Sequence, residues 1–197
     1  KLIVRDNHGA LVYAGGDDVL ALLPLDKCLQ AARELYNAFG EQTRSAVSGR
    51  QPTLSVGIAI NHFMEPLTDI LTRSREAEAA AKLPDRNGLA VTLHKRAGGD
   101  PLQVRWCWEE EPDGIIKEWQ QLFEEKRVPA KAPYDLHRVA RTYLECTERG
   151  DSDTGWVFDA LRVDAQRLLK RKEIKDSQAR EAAERLLFAT AGTAQDF

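Results

Sequence analysis

Apolar and polar positions change their period several times along this chain. Ala10 to Ala14 and Val19 to Leu23 are two apolar runs that meet at Gly15-Gly16-Asp17-Asp18, which is turn chemistry between strand-like segments and predicts a hairpin. After Pro24, residues Leu25, Cys28, Leu29, Ala32, Leu35, Tyr36 and Phe39 recur at three and four residue steps, predicting an amphipathic helix closed by Gly40. From Gly40 to Pro52 the chain is polar and reads as a surface loop. Strict alternation follows from Thr53 to Asn61, with Leu54, Val56, Ile58 and Ile60 on one side and Ser55, Gly57 and Ala59 on the other. Such a small-residue face leaves room for a ligand or lets a helix pack closely, and the pattern admits both. Pro66 opens a second helix, traced by Leu67, Ile70, Leu71, Ser74, Ala77 and Ala81 and ending near Lys82. Leu89 to Leu93, a Gly98-Gly99-Asp100-Pro101 turn and Leu102 to Trp108 then predict a second hairpin. Lys1 to Arg5 fits either a short strand or the last turn of a helix.

Beyond Trp108 the pattern becomes helical. Glu109 to Gly114 reads as an acidic linker, and four apolar stripes follow. Ile115, Ile116, Trp119, Leu122 and Phe123 make the first; Leu136, Val139, Ala140, Tyr143 and Leu144 the second. Trp156, Leu161, Ala165, Leu168 and Leu169 make the third, and Ala179, Ala182, Ala183, Leu186 and Leu187 the fourth, with a connecting loop from Gly150 to Gly155. Large side chains buried at about 1.5–3 kcal/mol each suffice to hold a small bundle together. The expected division is therefore 1–108, an α+β layer with helices on one face of a largely antiparallel sheet, and 109–197, an all-α helical bundle. Trp119 and Trp156 both fall on apolar stripes and are expected in the core.

Composition narrows the class. The chain has 197 residues and a net charge of −3, which suits one or two compact units and argues against a protein that wraps nucleic acid by itself. No stretch approaches the roughly 18 apolar residues of a membrane-spanning helix, and no signal-peptide pattern opens the chain, so no membrane contact is expected and a cytoplasmic location is. Cys28, Cys107 and Cys146 are widely spaced and lack a CxxC pair, which argues against a disulfide framework and a structural zinc site. A chain that opens at Lys1 without methionine and reaches its main motif within about fifteen residues is expected to be a piece of a larger protein.

The chemistry concentrates at Gly15-Gly16-Asp17-Asp18. Glycines permit positive φ and keep side chains away from a ligand, and adjacent aspartates concentrate charge that a cation relieves. A Mg²⁺ site for a nucleoside triphosphate is built in this way, from one or two carboxylates and the phosphates themselves. The same residues are also ordinary hairpin chemistry, so the motif alone leaves a solvated turn open. Arg162, Arg167, Lys170, Arg171, Lys172 and Lys175 form a basic run, interrupted by Glu173 and Asp176, that suits a solvated mixed-charge face as well as RNA or subunit contact.

Taken together, Gly9 to Pro24 (GALVYAGGDDVLALLP), Ser55 to His62 (SVGIAINH) and Glu76 to Lys82 (EAEAAAK) with Asn87-Gly88 resemble the large polymerase/cyclase subunit of type III CRISPR effector complexes, most closely the Cmr (subtype III-B) branch. The resemblance covers roughly the first half of the chain; the helical half matches that family's C-terminal domain only by position and character. It implies a ferredoxin-like palm of the nucleotidyl cyclase and polymerase type, incomplete at its N-terminus, followed by a helical domain. It further implies conversion of ATP to cyclic oligoadenylate once the complex has bound target RNA. Asp17 and Asp18 would hold Mg²⁺ or Mn²⁺ and be catalytic, Gly15 and Gly16 would let the triphosphate approach the backbone, and Ser55 and Lys82 are weaker candidates for nucleotide contacts. The implied partners are the other subunits of the complex and, through them, guide RNA and target RNA. A complete palm of this kind has an earlier strand with a further metal-binding carboxylate, so the piece alone is expected to be inactive or nearly so. None of His8, His62, His94 or His137 is followed by Asp, so the His-Asp pair of the family's nuclease domain is not in this stretch. A diguanylate-cyclase relative is the competing enzyme, but Asp-Asp-Val follows the glycines where that family carries Glu-Phe or similar. A non-catalytic scaffold that binds subunits of an RNA-guided complex is the competing class.

Overall fold

The computed structural model describes residues 1–16, 18–44, 52–96, 98–147, 155–171, 174, 177 and 179–182. Asp17, much of the expected 40–52 loop, the 150–155 connection and the stripe residues Ala183, Leu186 and Leu187 lie outside the described residues, wholly or in part. The chain divides into two compact units, Lys1–Glu109 and Glu110–Phe197.

In the first unit, α1 (Leu2–Asp6) settles the open reading of the N-terminus as a helical turn. Asn7, buried just after it, donates to Glu34 at 2.8 Å and to the Ile3 carbonyl at 2.9 Å, tying α1 to the following helix. The expected hairpin is present: β1 (Ala10–Gly15) pairs antiparallel with β2 (Asp18–Leu22), with a register shift between Leu11 and Tyr13. The helix α2 (Cys28–Thr43) runs on through Gly40 instead of ending there. A glycine inside a helix costs only about 1 kcal/mol, and at Gly40 a Cβ would meet nothing within 4 Å.

The alternating segment forms β3 (Val56–Ile60), which is followed by α3 (Leu67–Lys82), β4 (Gly88–Leu93) and β5 (Leu102–Cys107). The expectation of a largely antiparallel sheet holds for the β1–β2 and β4–β5 pairs and is corrected at β3. β3 and β4 run parallel, with Val56 opposite Leu89 and Ile60 opposite Leu93, because α3 carries the chain back along the sheet before β4 begins. Only β4 and β5 are antiparallel in this sheet, joined across Gly98 and Gly99, whose φ angles of 80° and 94° favour glycine. The order β3-β4-β5 makes a three-stranded sheet, and β1-β2 is a separate two-stranded one. Trp108, expected in the last strand, begins a 3₁₀ turn (Trp108–Glu110).

The two faces of β3 explain the alternation. Val56 and Ile58 pack with Ala32, Leu89 and Trp108, beside Leu29 and Tyr36 of α2. On the other face α3 lies directly on the strand: a Cβ on Gly57 would come within 2.5 Å of the Glu78 Cα. Small residues therefore serve close helix packing here, with Ala80, Ala81 and Ala90 forming the contact beside it.

In the second unit, α4 (Pro112–Glu124), α5 (Ala132–Thr147) and α6 (Gly155–Arg171) enclose one core that contains Trp119, Leu122, Leu136, Ala140, Leu161, Ala165 and Leu169, together with Ala179 and Ala182. Trp156 corrects the sequence reading: it is 53% exposed, and Val157 takes the buried position at 3%. Among the described residues no helix is long and apolar enough to cross a membrane.

Candidate functional site

The hairpin tip is set by its register. Gly15 lies opposite Asp18, and Gly16 between them has φ of 61°, a conformation that suits glycine, with nothing within 4 Å of where a Cβ would stand. Asp18 is exposed. The tip thus offers a free carboxylate beside unobstructed backbone, while Asp17 lies outside the described residues. Gly15 differs from Gly16. The space above it is filled by the ring of Tyr13, whose Cζ would be 2.8 Å from a Gly15 Cβ and whose hydroxyl would be closer still.

The remaining predicted residues stand elsewhere in the unit. The Ser55 hydroxyl oxygen is shielded from solvent and has no hydrogen-bond partner, and the residue lies two positions before Gly57 on the strand segment that α3 covers. Lys82, at the end of α3, has its ammonium 2.6 Å from the Glu78 carboxylate one turn earlier. Among the described residues neither side chain bonds to the hairpin tip, where Gly15, Gly16 and Asp18 stand together. Among the described residues no group of three or more His, Cys, Asp or Glu side chains is arranged to hold a metal ion.

A second polar constellation escaped the sequence reading. Asn87 and Glu109, the latter read as the start of an acidic linker, meet across the sheet end: the Asn87 amide donates to Glu109 at 2.6 Å. The Cys107 thiol donates to the other Glu109 oxygen and approaches Asp85 at 3.5 Å, and Asp85 pairs with Arg105. Arg105 is only 8% exposed and reaches Asp85 by passing over Gly88, where a Cβ would sit 2.7 Å from its Nε. Burial, and then the carboxylate of Glu109, push the Cys107 thiol up to about 11. The hydrogen bond from Cys107, followed by the backbone and Asn87 amides, holds Glu109 below the usual carboxylate range. Sequence separations of about twenty residues hid these pairs, and a Cys-Trp-Glu run after a buried strand was the available signal. The arrangement clamps β4, β5 and the turn before them together; its thiol is held protonated and is a poor nucleophile.

With this geometry established, the first unit bears comparison with known proteins. Residues 1–90 match the family described as Cas10/Cmr2, second palm domain, and the likeness is confined to this part of the chain. Its particular likeness is to the CRISPR system Cmr subunit Cmr2 of Pyrococcus furiosus, with 41% identity over 100 residues. That alignment takes in 50% of this chain and 11% of the relative, so the chain spans about a ninth of that relative's length.

Proposed function

We propose that this chain is part of the large subunit of a Cmr-type CRISPR effector complex, and that its hairpin is the nucleotide and metal site of a cyclase that converts ATP to cyclic oligoadenylate when target RNA is bound. The observation that carries the reading is the open Gly16 backbone beside the exposed Asp18, within the segment that matches the palm family. A ribose hydroxyl attacks the α-phosphorus of a second ATP; the new P–O bond forms as the bond to the pyrophosphate oxygen breaks, and the hydroxyl proton passes to solvent. A bound Mg²⁺ or Mn²⁺ supplies a lowered hydroxyl pKa and neutralises the leaving pyrophosphate. Asp17 and Asp18 hold the cation, and Gly16 admits the triphosphate to the backbone. Lys82 is paired with Glu78 and the Ser55 hydroxyl is shielded from solvent, so neither is taken as a first contact of the nucleotide.

A second reading, a subunit-docking module without chemistry, draws on the turn between β3 and α3. There Phe63, Met64 and Leu67 are 85%, 66% and 58% exposed, an apolar group of the kind found at protein interfaces.

The test is ATP conversion by the complete large subunit in its assembled complex, with Mn²⁺ and target RNA, beside the Asp17→Ala, Asp18→Ala double variant. Loss of product with RNA binding retained supports the cyclase. Undiminished product in the variant removes the metal assignment, and no product from the unaltered complex favours the docking module.

A further inference from the structure

We propose that Tyr13 is a positioning residue of this nucleotide site, its phenol donating a hydrogen bond to a phosphate oxygen of the triphosphate held at Asp17 and Asp18; the inference rests on the cyclase reading above. Directly opposed residues of an antiparallel pair project from the same face. Gly15 opposes Asp18 and Tyr13 opposes Leu20, so Tyr13, Gly15, Asp18 and Leu20 share one face of the hairpin. A tyrosine two residues before the tip would ordinarily stand away from the sheet. Tyr13 instead lies along the strand toward the turn, with its hydroxyl directly above Gly15 on the face that carries Asp18. It is 55% exposed in that position, so the hydroxyl is presented at the tip and not enclosed in a core. The Tyr-x-Gly spacing thereby acquires a physical reason: any side chain at 15 would expel the phenol from the space beside the carboxylate.

A ring that merely covers a glycine for packing would leave the same picture. The hydroxyl distinguishes the two, because phenylalanine covers Gly15 equally well and cannot donate. In the complete subunit, assembled and bound to target RNA, Tyr13→Phe is expected to raise the KM for ATP about tenfold or more, as for a lost hydrogen bond to a charged oxygen, with kcat within about twofold. Its thermal midpoint stays that of the unaltered protein. An unchanged KM in Tyr13→Phe, with thermal stability lost in Tyr13→Ala, assigns the ring to packing and overturns the proposal. If the Asp17→Ala, Asp18→Ala variant retains full synthesis, the cyclase site lies elsewhere and the role of Tyr13 falls with it. A raised KM in Tyr13→Phe together with abolished synthesis in the aspartate variant upholds both.

Discussion

The ring of Tyr36 lies 4.7 Å from that of Trp108 at an interplanar angle of 24°, so α2 and the end of the three-stranded sheet are joined by an aromatic stack. The Arg33 guanidinium sits over the Trp108 ring at 4.5 Å, and the indole N–H donates to the Leu54 carbonyl at 2.8 Å. Trp108 is 1% exposed and touches groups on three separate segments. Trp108→Ala is expected to destabilise the first unit by about 3–5 kcal/mol. Trp108→Phe, which keeps a ring but leaves the Leu54 carbonyl without its donor, costs about 1–3 kcal/mol. Urea unfolding followed by circular dichroism ranks the two.

Gly57 allows no side chain. Gly57→Ala forces α3 away from β3 and is expected to cost about 1–3 kcal/mol or more, although alanine is the better residue for an unconstrained backbone. The control is Gly40→Ala, in open space on α2, which is expected to stabilise by about 0.5–1 kcal/mol. Thermal midpoints of the two variants should move in opposite directions.

Stability should fall off at both ends of the pH range. Glu109 and Asp85 have folded values below their unfolded ones: for Asp85 the cost of burial is outweighed by the Asn87 backbone N–H, the Arg105 guanidinium and the Cys107 thiol. The folded state then binds fewer protons, so their contribution is complete above the unfolded carboxylate range near about 4 and is lost as pH falls through the folded values. Cys107, raised to about 11, and Cys28, raised chiefly by burial, act at the other end. The unfolded thiol releases its proton first, so stability declines as pH rises above about 8.5. Glu109→Gln should flatten the acid limb and Cys107→Ser the alkaline one, both read from denaturant midpoints against pH.

The two tryptophans of the second unit should separate cleanly. Trp119 is 5% exposed inside the core and Trp156 is 53% exposed. Trp119→Ala is expected to cost about 3–5 kcal/mol, and Trp156→Ala within about 0.5 kcal/mol of nothing. Acrylamide should quench the fluorescence of a variant retaining only Trp156 strongly and that of one retaining only Trp119 weakly.

The periods of two and of three to four residues located most elements, since they report which side of a segment is buried. They did not report direction. Alternation in β3 and β4 is the same whether the strands run parallel or antiparallel, and the sixteen-residue helix between them was the overlooked evidence. Trp156 was misplaced by a rotation: it precedes Leu161 by five residues, about 140° around the helix, whereas Val157 precedes it by four and falls in line. The hairpin itself, with Gly15 opposite Asp18, was legible because turn chemistry is local. The covering of Gly15 by Tyr13 was not, because it depends on a rotamer. The Asn87–Glu109 pair was hidden because its partners meet only after β4 and β5 are paired.

The contact at Gly57 also has a mechanical meaning. Packed elements usually slide on a layer of side chains that exchange rotamers, and β3 and α3 have no such layer where Gly57 meets Glu78. Strand and helix therefore travel as a single stiff plate. Among the described residues the hairpin shares no ladder with that plate, so no strand hydrogen bond carries that stiffness across to the tip.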